Sequence, residues 1–214
     1  TEINGTCFSS DTATINFFQQ PVVNAGTGGS VCADTFILSG TSTGASIVWT
    51  QVFGSGFTLF TTPTNLSCNI SIDVFGSYLY RLTETNAGCS AYSDVAITFY
   101  DQPVAYAGES SSVCDSLATV VATASVGSGT WSKQSGPGNV SFSGFSNPSS
   151  SVTVSQYGTY IFMWTEINGL CFSSDTATIK FFKQPVADAG TGGKQCDLQF
   201  VTSAVPSSGT GTWS

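Results

Sequence analysis

One interval governs this chain. The step from Cys7 to Cys89 is repeated from Cys89 to Cys171, and it also separates Pro21, Pro103 and Pro185. Cys32, Cys114 and Cys196 keep it too, as do Trp49, Trp131 and Trp213. Self-similarity at a fixed period marks a tandem array, one structural unit copied and strung along a line. Each unit is a small domain that must hold its own core. In an array, function lies in length, spacing and surface more than in one catalytic pocket. The period divides the chain into four parts. Residues 1–20 read as the C-terminal hairpin of a preceding repeat, 21–102 and 103–184 as complete repeats, and 185–214 as the N-terminal part of a further one. Residues 1–29 and 165–193 differ at only five positions, while 83–111 diverge, so a higher-order period of two repeats is expected.

Charged residues make up 8% of the chain, against roughly 25% in ordinary globular proteins. Ser, Thr and Gly stand in their place. The net charge is −8 with five Lys and Arg in all, which argues against a nucleic-acid partner, since phosphate contacts need basic side chains. No apolar run reaches the roughly 18 to 20 residues of a membrane span. Histidine is absent, which removes the commonest general base and metal ligand. No catalytic residue set, metal site or cofactor is expected, and the chain reads as a non-enzyme. The seven cysteines form no CxxC pair, and six of them fall at repeating positions. They look like a disulfide framework, which implies an oxidising compartment outside the cytoplasm.

Alternation then predicts strands. In 103–184 they are expected around Val113, over 117–122, from Thr130, over 152–155, over 159–167 and over 171–182. Turns are expected at Gly127-Ser128-Gly129 and Ser135-Gly136-Pro137-Gly138. Asn168-Gly169 signals a two-residue hairpin turn with positive φ at both positions. Tyr160, Phe162 and Trp164 share one face, matched one period earlier by Tyr78, Tyr80 and Leu82. Ala177, Ile179 and Phe181 share another, matched by Val95, Ile97 and Phe99. The opposite faces exchange Arg81 for Met163 and Thr98 for Lys180, so they meet solvent. No segment has helical period. About seven short strands with a Trp on the third describe an all-β fold: tandem immunoglobulin-like (PKD-like) β-sandwiches. The links Phe18-Gln19-Gln20-Pro21 and Phe182-Lys183-Gln184-Pro185 are short and Pro-stiffened, so a semi-rigid rod is expected.

Three stretches carry a resemblance: Thr165-Glu166-Ile167-Asn168-Gly169-Leu170-Cys171, Ala187-Asp188-Ala189-Gly190 and Gly129-Thr130-Trp131-Ser132. They resemble the PKD-like repeats of giant Bacteroidota cell-surface proteins, of which the SprB-type gliding-motility adhesins exported by type IX secretion are examples. The resemblance implies an extracellular, cell-surface location and an adhesive or stalk role.

The cysteines allow two pairings. Within a domain, Cys32 would bond Cys89 and Cys114 would bond Cys171, each closing most of a repeat into a loop. In a sandwich, however, Cys114 lies at the pole facing the next domain and Cys171 at the pole facing the preceding one. Those poles are roughly 30 Å apart for strands of about nine residues, while a disulfide needs Cα atoms within about 7 Å. Geometry therefore favours Cys32 of one domain with Cys171 of the next. Cys68 has no repeat partner, since Ser150 takes its place, and its parity with Ile70 and Ile72 makes it a buried thiol.

Asp11-Thr12-Ala13, Asp175-Thr176-Ala177 and Asp115-Ser116-Leu117 resemble the Bacteroidota O-glycosylation sequon, which would place glycans on Thr12, Thr176 and Ser116. Sugars would supply the solubility and edge protection that charges usually give; the plainer reading is that Asp and Thr open a strand. Asp101, Glu109, Asp188 and Asp197 lie near links, but no cluster of three carboxylates recurs, and calcium wants six to eight oxygens. Glu84 and Glu166 recur before the hairpin turn and read as structural acceptors. No Lys recurs for an isopeptide bond. Gly26-Thr27-Gly28-Gly29 is no phosphate loop, because no helix and no Lys follow.

The expected function is a stalk of a large repetitive surface adhesin, projecting a distal binding region and bearing load. Its partners would be neighbouring repeats of the same chain, with other chains or surface polysaccharide as further candidates. Alternatives are a subunit of a laterally associating filament or sheath, and an accessory region of a secreted enzyme.

Overall fold

The computed structural model describes residues 1–44 and 46–214, and the chain divides into two compact units, Thr1–Tyr100 and Asp101–Ser214. All regular structure among the described residues is β.

The first unit opens with a hairpin of β1 (Glu2–Asn4) and β2 (Cys7–Ser9). The sandwich of repeat 1 follows: β3 (Val23–Asn24), β4 (Gly29–Val31), β5 (Thr35–Ser39), β6 (Thr41–Ser42), β7 (Ser46–Gly54), β8 (Thr58–Phe60), β9 (Ser67–Ile72), β10 (Gly76–Asn86) and β11 (Cys89–Phe99). One sheet has the order β4-β11-β10-β7 and the other β5-β9-β8, with β3 paired to β6. The second unit repeats the plan with β12 (Ser111–Val113), β13 (Leu117–Val121), β14 (Ser128–Ser135), β15 (Val140–Phe142), β16 (Ser149–Val154), β17 (Gly158–Asn168) and β18 (Cys171–Phe181). Its sheets are β12-β18-β17-β14 and β13-β16-β15. Four strands facing three, with a Trp on the strand that pairs with the long hairpin, is the immunoglobulin arrangement.

The cores follow the alternation. Tyr160, Phe162, Trp164, Ala177, Ile179 and Phe181 are buried in repeat 2, and Tyr78, Tyr80, Leu82, Val95, Ile97 and Phe99 in repeat 1. Each large side chain so buried is worth about 1.5–3 kcal/mol. The outward residues are the expected ones: Arg81 and Met163 are half-buried, and Lys180 is exposed. A feature missed in the sequence ties the sheets together. Tyr78 donates its hydroxyl to the Val74 carbonyl and Tyr160 to the Gln156 carbonyl, four residues upstream in each case. This tyrosine corner fixes the turn that feeds the central strand. A Gly-x-Tyr recurring one period later was its available signal.

Two turn expectations are corrected. Ser128 and Gly129 belong to β14, and only Gly127, at φ 80°, turns. In the long hairpin, Asn168 pairs with Cys171, so the loop is Gly169-Leu170 and positive φ falls on Gly169 alone. Leu170 carries a Cβ that resists the left-handed region, so the glycine takes the first loop position. Repeat 1 does place both loop residues, Ala87 at φ 46° and Gly88 at φ 90°, in that region.

Candidate functional site

The chemistry of these units lies in how their ends are tied. In each sandwich the strand near the N-terminus lies parallel to the last strand. β4 pairs with the end of β11 through Ile97↔Gly29, Thr98↔Ser30 and Phe99↔Val31. β12 pairs with the end of β18 through Ser111↔Ile179, Ser112↔Lys180 and Val113↔Phe181. When the two ends of such a domain are pulled apart, these parallel strands slide against each other, and their hydrogen bonds are loaded together.

The cysteines stand at the ends of the same strands. Cys171 opens β18 and Cys89 opens β11. Cys114 follows β12, opposite the far end of β18, and Cys32 follows β4 in the same way. Ten residue steps along β18 span about 34 Å. The within-domain pairs Cys32–Cys89 and Cys114–Cys171 are therefore out of reach, and Cys89 and Cys114 carry free thiols. Cys32 and Cys171 are each disulfide-bonded. Cys7, Cys68 and Cys196 are also free, and Cys68 is fully buried as its parity required.

Glu84 and Glu166 are both buried, at 0% and 1% exposure. Glu166 is richly bound. Its carboxylate accepts from the Ser125 amide (3.0 Å), the Ser125 hydroxyl and the Trp164 indole (2.8 Å). Burial pushes this carboxyl up; donation from Ser125, Trp164 and the Val126 amide outweighs it and holds the group below its ordinary value. Among the described residues, Glu84 accepts from the Thr43 amide alone, at 3.3 Å, and its Oε1 has no partner.

Repeat 2 also stitches its entry segment to β18. Ala105 N–H donates to Ser173 Oγ (3.3 Å), Ala107 N–H to Asp175 (2.9 Å) and Thr178 N–H to Ser110 Oγ (3.1 Å). Gln102 reaches the Phe172 carbonyl and Asn168 the Asp101 carbonyl. Asp175, flagged in the sequence only as part of a sequon, is thus a fastening residue. Of the sequon residues, Thr12 and Thr176 are exposed, while Ser116 is half-buried with its hydroxyl on Asp115. On the outer face of repeat 1, Arg81 grips Asp94 with two bonds (2.7 and 2.8 Å) and lies over the Tyr92 ring. The guanidinium holds the Asp94 carboxyl below the usual carboxylate range. Among the described residues no group of three His, Cys, Asp or Glu is placed to hold a metal.

No family model matches the sequence, and neither does any curated protein. Solved structures do. Extracellular domains 3–5 of Drosophila OTK align at TM-score 0.50 and 15% identity, over 76% of this chain and 60% of that one. The chain is a tandem of immunoglobulin-like β-sandwiches. A titin fragment of three immunoglobulin domains aligns at TM-score 0.41 and 13% identity, covering 78% of this chain and 67% of that one. A human PKD domain aligns at TM-score 0.34 and 15% identity, covering 42% and 90%. At such identities the likeness speaks to fold alone.

Proposed function

We propose that this chain is a load-bearing stalk segment of a large, repetitive bacterial cell-surface adhesin of the gliding-motility type, exported by type IX secretion. The observation that carries this reading is the parallel pairing of entry strand and last strand in both repeats, which sets pulled ends in shear. Disulfide-bonded Cys32 and Cys171 support an oxidising, extracellular location. We assign them to each other, one staple between successive repeats; the other five cysteines are free, which supports the assignment. Residues 21–102 and 103–184 then act as rod segments, flanked by further copies. Exposed Thr12 and Thr176 suit an O-glycan better than half-buried Ser116, and intact mass of native material tests for sugars on all three.

One observation favours lateral association instead. Phe53, Phe57, Leu59 and Tyr92 are exposed on repeat 1, where repeat 2 has Ser135, Asn139, Ser141 and Ser174. Electron microscopy of native material decides. Threads one domain wide and attached to cells support the stalk. Fibres with several chains in cross-section refute it and leave the filament.

A further inference from the structure

Four of the free thiols occupy the same two places as the bonded ones. Cys114 and Cys196 stand one and two periods after Cys32, and Cys89 and Cys7 stand one and two periods before Cys171. Cys89, like Cys171, is the first residue of a last strand; Cys114, like Cys32, follows the short parallel strand at that strand's far end. Cys68 alone falls outside the scheme. We propose that all four close the same joint. In an array that continues with this repeat, each bonds the cysteine placed relative to it as Cys32 and Cys171 are to each other, and tension then runs through short segments that bypass β5 to β10 and β13 to β17. This rests on the Cys32–Cys171 pairing proposed above.

The bypass follows from the order of the cysteines. From a bonded Cys171 the chain runs to Cys196, where the next bond leaves, as it runs from Cys89 to Cys114. Two such lines thread the array. The stretches from Cys32 to Cys89 and from Cys114 to Cys171 hold β5 to β10 and β13 to β17; they connect the lines and lie on neither. The bypass segments include β11 and β18. A β-strand is already near full extension, at about 3.4 Å per residue. Pulled from its two ends it has little length to give, so its lateral bonds are not sheared. The parallel clamps are then a second line of resistance, and they take the load at any joint whose staple is open. Each closure turns two thiols into one S–S bond by thiol–disulfide exchange; the two electrons and two protons pass to a disulfide oxidant, which leaves as its dithiol.

The test holds the chain by its two ends in a single-molecule force instrument, first in glutathione disulfide and then after a phosphine reductant. With the staple closed, residues 33–170 lie off the path. Reduction should lengthen the fully stretched chain by about 480 Å at ~3.5 Å per residue. The oxidised chain should show no unfolding events at forces where the reduced chain unfolds both repeats. Cys32→Ser should behave as reduced in either buffer, and Cys89→Ser as the unaltered chain. Non-reducing peptide mapping of the same sample separates two failures. A missing Cys32–Cys171 cross-link defeats the pairing. A cross-link present alongside unfolding events at the reduced chain's forces defeats the bypass. In the native array, mapping should find Cys89 and Cys114 cross-linked at the spacing that separates Cys32 from Cys171. Their alkylation as free thiols there overturns the ladder.

Discussion

Glu84 and Glu166 occupy one point in two sandwiches, and their neighbours have made it two different sites. In repeat 2, Trp164 sends its indole N–H to Glu166 while its ring lies over Gly129. A Cβ on Gly129 would overlap that ring. In repeat 1 the same positions are Leu82 and Ile47, so volume has been exchanged across the strand pair and the indole donor is gone. Ser125, which gives Glu166 both its amide and its hydroxyl, is replaced by Thr43, which gives Glu84 its amide. The lesson is that a residue shared by two copies keeps its place but not its energetics. A buried carboxylate with several donors is a fastening, whereas one with a single donor and a bare oxygen is a cost.

The largest expected effect is Gly129→Ile. The new side chain collides with Trp164 and should cost repeat 2 about 3 kcal/mol through overpacking. Hydrogen exchange resolved by peptide should show repeat 2 losing protection while repeat 1 keeps it. The reverse exchange sharpens the comparison. Leu82→Trp alone should destabilise repeat 1, and adding Ile47→Gly should recover about 1–3 kcal/mol of coupling, read as a double-mutant cycle.

Glu166→Gln comes next, at about 2 kcal/mol, because an amide NH2 then faces groups that are all donors. The Glu166 carboxyl is lower in the folded chain than unfolded. Its contribution is therefore present above the ordinary Glu value of about 4.3 and is lost as pH falls through the depressed folded value. An acid titration of repeat 2 protection should flatten in Glu166→Gln. Glu84→Gln should cost less than about 1 kcal/mol or stabilise, since the amide oxygen can keep the Thr43 bond and no other donor is lost among the described residues. Equal losses in the two variants would break the comparison.

Asp175→Ala should cost about 1 kcal/mol by freeing the Ala107 amide, and should loosen the entry segment of repeat 2. Repeat 1 has Ser93 there, so Ser93→Ala should leave its segment unmoved. The smallest effect is Arg81→Met. The Arg81–Asp94 pair lies on the surface, so any loss should fade as salt is added.

Much of this was legible beforehand. The period marked out the units, and alternation the inward faces of β10, β11, β17 and β18. Both carboxylates were marked as structural acceptors. The partners that make them unequal were not legible. Ser125 and Glu166 are 41 residues apart, as are Thr43 and Glu84, and side-chain bonds across that distance leave no local pattern. The Asp175 stitch escaped for the same reason.

Residues 1–20 and 165–184 separate the two kinds of information. Their sequences differ at only three positions, Thr6/Leu170, Asn16/Lys180 and Gln19/Lys183. Both form the same hairpin, with Asn4 opposite Cys7 as Asn168 is opposite Cys171. A two-residue turn is a local matter of φ and glycine, so sequence alone settles it. Beyond the turn they part. Ile179 and Phe181 lie in the core of repeat 2, while their counterparts Ile15 and Phe17 are exposed. Trp213 is likewise exposed where Trp49 and Trp131 are buried. Among the described residues nothing covers Ile15 and Phe17, whereas Ile179 and Phe181 join the buried cluster of repeat 2. A strand is completed by hydrogen bonds and apolar contacts from partners distant in sequence, and only the tertiary structure decides whether they are there.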